Sequence, residues 1–159
     1  MSNESRFLLQ LLDQAYDHRS WHGPNLRGSL RGVTAELAAF RPGRGRHNIW
    51  ELALHAAYWK YATARRLAGD KRGHFPLKGS NFFERPQEAS EAAWRKDLAL
   101  LDECHRHLRE VVEHLPASRL HQAPGARGSW TAAETISGVA AHDLYHAGQI
   151  QLLKRLARS

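Results

Sequence analysis

The sequence predicts an all-α protein, a four-helix bundle with long connections, and three observations carry that expectation. Four segments place apolar residues at helical spacing, none shows the sustained alternation of a strand, and stretches rich in glycine and proline separate them. A chain of 159 residues lies near the common size of one domain, so residues 1–159 are expected to form a single unit.

The first helix is expected from about Ser5 to His18, where Leu8, Leu11, Leu12 and Ala15 share a stripe. Glycines at 23, 28, 32, 43 and 45, with Pro24 and Pro42, then leave room only for a short helix near Thr34 to Phe40. The second long helix starts at Asn48, whose side chain can cap free amides, and Glu51 three residues later gives a capping-box-like start. It stops near Gly69. The segment "DKRGHFPLKGSNFFERPQEA" carries three phenylalanines, which predicts a loop folded back on the bundle.

The third long helix is expected from Ser90 to about Leu115. Trp94, Leu101, Leu108 and Leu115 recur every seven residues, and Leu98, His105 and Val112 form the neighbouring row. Thr131 and Glu134 make a capping box for the last helix, which is expected to run to the C-terminus. The three connections, about 29, 20 and 15 residues, are too long to demand simple hairpins, so one or more crossovers are expected.

Composition narrows the function. Hydrophobic residues make up 42% of the chain and charged residues 25%, too apolar for general disorder. No run reaches the 18 to 20 apolar residues of a membrane span, and "MSNESRFLLQLLDQ" has neither a basic n-region nor a cleavage site, so a cytoplasmic location is expected. The single cysteine, Cys104, permits no intramolecular disulfide and no cysteine knuckle, and reads as a small core residue. The net charge of +7 invites a nucleic-acid reading, but the basic residues are spread through "RPGRGRH", "GDKRGH", "CHRHLRE" and "LLKRLARS". That dispersion reads as a solvated basic surface and argues against a nucleic-acid partner.

Eleven histidines are the unusual feature. In "HDLYHAGQIQLLKR", His142 and His146 lie four apart and project from one helix face. Val139, Ile150 and Leu153 fall within about 40° of His146, so both rings interrupt the core stripe. Two adjacent buried imidazoles cost on the order of a few kcal/mol unless something satisfies them, and a divalent cation does so directly. The spacing is that of the HExxH histidine pair, but the glutamate that serves there as general base is absent. His55, with Leu52, Trp59 and Ala62 on its face, is the third inward histidine. Three on two helices make a facial triad that leaves positions for water or substrate. His105 is a weaker candidate, better read as boundary packing.

These residues resemble the DinB-like superfamily of bacterial metal-binding four-helix bundles, which includes the YfiT-like proteins. The resemblance rests on "NIWELALHAAYWKYATARRLAG", "FPLKGSNFFERP" and, most specifically, "SWTAAETISGVAAHDLYHAGQIQLLKR" with its HxxxHxGQI signature. It implies a crossover bundle, often homodimeric, with the metal triad on His55, His142 and His146. It further implies similarity to transferases and isomerases that use a metal to activate a low-molecular-weight thiol such as bacillithiol or mycothiol, or to metal-dependent hydrolases.

The function expected is therefore that of a divalent-metal-binding protein, with Zn²⁺ or Ni²⁺ at the triad and a small-molecule substrate or thiol cofactor at the open position. The alternative is a non-enzymatic metal-binding or stress-response interaction protein, in which the ion supports the fold. No general base stands out. Glu51, Asp143 and Gln149 are the candidates to assist, set against capping, a surface charge and helix-face packing. Trp50, Tyr58, Trp59, Phe82 and Phe83 are read as core and loop anchors that could also form an apolar entrance, and Gly148 as a point of close helix approach.

Overall fold

The computed structural model describes residues 1–71, 73–125 and 130–158. Four long helices dominate it: α1 (Asn3–Tyr16), α4 (Ile49–Ala68), α5 (Glu91–His114) and α6 (Ala132–Leu156), with two short helices, α2 (Leu26–Ser29) and α3 (Ala35–Ala39), between α1 and α4. No strand occurs among the described residues, and no helix there is long and apolar enough to cross a membrane. The fold is all-α, as the periodicity predicts.

Each long helix starts where a side chain takes up a free amide. Ser2, Asn48, Ser90 and Thr131 accept from the N–H of Ser5, Glu51, Ala93 and Glu134. Thr131 and Glu134 complete the capping box. At Asn48 only the first half forms, because the Glu51 carboxylate is drawn to Arg41, His47 and the Arg85 amide. Gly69 ends α4 at φ +84°, a left-handed conformation that an L side chain would strain. The last helix stops at Leu156, and residue 159 of its expected run lies outside the described residues.

The long helices form a closed ring of neighbours: α1 against α5 and α6, and α4 against α5 and α6. Contacts set their directions. Asp13 meets Arg109 and Tyr16 meets Asp102, so α1 and α5 are antiparallel. Trp50 packs on Trp94 and, further along, Leu67 shares a cluster with Leu108 and Val112, so α4 and α5 are parallel. Adjacent parallel helices need a crossover, and the segment from Gly69 to Ser90 supplies it. Its aromatics fold back as expected, with Phe75 and Phe83 buried. By the same reasoning α4 and α6 are antiparallel, since His55 meets His142 and His146 while Leu67 shares its cluster with Ile136.

Two apolar clusters fill the bundle, one around Trp50, Trp94 and Ile150, the other around Leu12, Leu108 and Ile136. In register between them lies a polar layer of Lys60, His105 and Asp143, all buried. Lys60 is ion-paired to Asp143 and sits over the Tyr16 ring, which stacks on His105 at 3.7 Å. Tyr16 donates to Asp102, which Arg27 also binds.

Helix α2 packs on α6 and has no counterpart in the periodicity, because four residues are too few to carry any. Its signal is Asn25, which caps it by accepting from the Gly28 amide. Gly148 is exposed, and a Cβ there would meet nothing within 4 Å, so no helix makes a close approach at this position.

Candidate metal centre

The antiparallel packing of α4 and α6 brings His55, His142 and His146 together, with one ligand atom from each lying within 4.8 Å of the others. His142 Nε2 lies 3.0 Å from His55 Nε2 and 3.0 Å from His146 Nε2. Two nitrogens bound to one ion at about 2.0–2.1 Å would stand roughly 2.9–3.4 Å apart, so these separations suit a shared cation.

The tautomers follow from the outer nitrogens. His55 Nδ1 donates to the Asn81 carbonyl at 2.8 Å, and His146 Nδ1 donates to Gln149 Oε1 at 2.6 Å. Neutral rings so protonated turn bare Nε2 lone pairs toward the centre. His142 Nε2 carries at most one proton, so it can donate to one neighbour and must face the other lone pair to lone pair. A cation removes that conflict, and the tied Nδ1–H groups are the outer partners that metal-binding imidazoles usually have.

Electrostatics keep the rings neutral. Burial, then the repulsion that a second proton on the adjacent His146 or His55 would bring, pushes His142 down to about 3. Burial pushes His146 down to about 4 against the hydrogen bond it donates to Gln149, and lowers His55 against the pull of the Asn81 carbonyl. Neutral imidazole is the metal-binding form, available here at neutral pH.

The histidines open onto a cavity of about 610 Å³ between α4, α6 and the loops before and after α4. Phe82 forms part of its wall and stacks between two rings, 4.0 Å from His55 and 3.8 Å from His47. Of the five aromatics considered for an apolar entrance, Phe82 alone lines the cavity. Trp50 and Phe83 are core, Tyr58 packs against Phe75 and Phe83, and Trp59 donates to the Asn81 side chain.

The assisting candidates divide. Gln149 lines the cavity and orients His146. Glu51 is buried one layer behind, holding Arg41 and His47 in place. Its carboxyl stays below the usual range because the Arg41 and His47 hydrogen bonds outweigh the opposing effect of burial. Asp143 is neither a surface charge nor part of the cavity wall, since it turns inward to Lys60. His105 is buried in the polar layer, pushed down to about 2 by burial and then by Lys60, and is not among the clustered histidines. Cys104 is buried, with burial pushing its thiol up to about 12, which suits a core residue and not a nucleophile.

Asn81 and His47 escaped the sequence reading. Asn81 holds φ +69°, a conformation asparagine tolerates better than most residues, and so aims its carbonyl at His55. The "GSN" turn was the available signal. His47 is a loop residue whose role depends wholly on Phe82 and Glu51.

An all-helical bundle with a three-histidine group on facing helices defines the class: a helical protein whose core-edge site could hold a metal ion. The family model described as DinB superfamily matches residues 19–150, and the chain belongs to that superfamily. No curated protein and no solved structure matches the chain.

Proposed function

We propose that the protein is a metal-dependent enzyme in which His55, His142 and His146 hold one divalent cation, Zn²⁺ or Ni²⁺, with a low-molecular-weight thiol and an organic partner as substrates. The convergence of three Nε2 atoms, two of them turned inward by outer hydrogen bonds, on a cavity of substrate size is the observation that carries this reading. Bound there, the cation would act as a Lewis acid and lower the pKa of a thiol or water at its open position.

The chain's own residues have separate tasks. Asn81 and Gln149 hold the imidazoles in the tautomer that presents Nε2. Phe82 and the leucines of the wall shield one side from water. The groups lining the cavity are imidazole, guanidinium, phenol, amide and hydrocarbon. A thiol starts from a pKa of about 8.5 and water from about 15.7, so a thiol would need less help to ionise, and a lining with no carboxylate among the described residues suits thiol transfer better than hydrolysis.

Protein purified without an affinity tag or chelator should carry about one equivalent of zinc or nickel per chain by elemental analysis. His55→Ala and His142→Ala should each lose it. Either variant keeping the wild-type metal content refutes the triad. Metal that stabilises the fold without supporting turnover of any thiol or ester would favour the non-enzymatic alternative.

A further inference from the structure

The cavity has a second chemical character beside the histidines. Hydrocarbon from Leu52, Phe82, Leu152 and Leu153 forms one wall, while the loop "RPGRGRH" at 41–47 contributes Arg46 and His47 to the rim. Among the described residues no carboxylate lines it. The neighbouring guanidinium groups are taken, Arg41 by Glu51 and Arg85 by Asp97. Arg46 differs, for its guanidinium makes no ion pair or hydrogen bond among the described residues.

The Arg46 backbone is nonetheless fixed. Arg41 Nη1 donates to the Arg46 carbonyl at 2.7 Å, and Glu51, which holds Arg41, also accepts from His47 at 2.8 Å. A buried carboxylate thus clamps the loop on both sides of Arg46, and the guanidinium shares the cavity lining with hydrocarbon and has no carboxylate partner among the described residues. Such a rim favours a ligand with an acid group at one end and an apolar body.

We propose that the cavity takes an organic anion with an apolar body, a carboxylate, sulfonate or phosphate ester, whose acid group is held by the Arg46 guanidinium. This rests on the proposed function in treating the cavity as the substrate pocket, and it assigns Arg46 as a specificity-determining residue.

Two fluorescent probes test it: 1-anilinonaphthalene-8-sulfonate and N-phenyl-1-naphthylamine, which share an apolar body and differ in the sulfonate. At low salt the wild-type chain should bind the sulfonate about tenfold more tightly, the scale of one charge-assisted contact at a half-open site. Arg46→Gln should remove most of that preference while leaving the neutral probe's affinity unchanged. Leu152→Ser, an exposed position on the apolar wall, should weaken both probes alike. Arg44→Gln, in the same loop but not in the cavity lining, should change neither.

Equal affinity of the two probes for the wild type overturns the proposal, as does a preference that survives Arg46→Gln or is lost equally in Arg44→Gln. Zinc content measured on the same samples separates the two readings. Arg46→Gln that keeps zinc and loses the preference isolates the anion subsite. A wild-type chain that takes up neither zinc nor nickel would refute the metal site, while the probe comparison, which needs no metal, would still decide the role of Arg46.

Discussion

Replacing Lys60 with methionine should be among the most damaging single changes outside the histidine site. Lys60 is ion-paired to Asp143 Oδ2, with side chains only 1% exposed each, and Asp143 Oδ1 has no hydrogen-bond partner among the described residues. Methionine fills the lysine stem's volume but leaves the carboxylate uncompensated. Breaking a buried pair from one side costs about 3–5 kcal/mol, which for a chain of this size lowers Tm by roughly 10 °C. Burial already pushes Asp143 up to about 6 against the pull of Lys60, and without the lysine it must rise further. A carboxyl raised in the folded state contributes stability that is complete below its unfolded pKa, about 3.9, and is lost as pH rises through the folded value. The penalty of Lys60→Met should therefore be largest at pH 7 and shrink toward pH 5. Urea unfolding of metal-free wild type, Lys60→Met and Lys60→Met/Asp143→Leu, followed by tryptophan fluorescence at both pH values, measures this. Removing both charges should recover most of the loss, because a buried pair contributes little over hydrocarbon of similar volume. A single-variant penalty under about 1 kcal/mol at pH 7, or a double variant no better than the single, would refute the reasoning.

Gln149→Leu should leave the fold intact but weaken metal binding by about 10- to 100-fold, since His146 loses the acceptor that sets its tautomer; competition against a chromogenic chelator reads this, and an unchanged affinity would assign Gln149 to packing alone. The metal-free protein should lose stability on acidification. His142 and His146 have folded values depressed to about 3 and 4, so their contribution is complete above the unfolded pKa of about 6.5 and is lost as pH falls toward the folded values. Denaturant midpoints between pH 7 and pH 4, with and without added zinc, measure the slope, and a flat profile for the metal-free chain would count against neutral, buried imidazoles.

Much of the site was legible in the chain itself. Helical periodicity and capping residues place the four long helices within a few residues of their observed ends, because both are local signals. The inward face of His142 and His146 follows from 3.6 residues per turn, and His55 from the same rule on α4. That the three rings meet does not follow from either helix alone, since it depends on antiparallel packing of α4 against α6 and on the depth at which they pair. Asp143 shows the limit most plainly. Beside His142 it reads as a helper or a surface charge, yet only the position of Lys60 on another helix turns it into a buried ion-pair partner. The outer hydrogen bonds that Asn81 and Gln149 accept, the Phe82 stack and the clamp of Glu51 on the Arg46 loop belong to the same class. Periodicity assigns a side chain to a face, but a partner is set by which chain segments the fold brings within about 3 Å, and tertiary packing alone decides that.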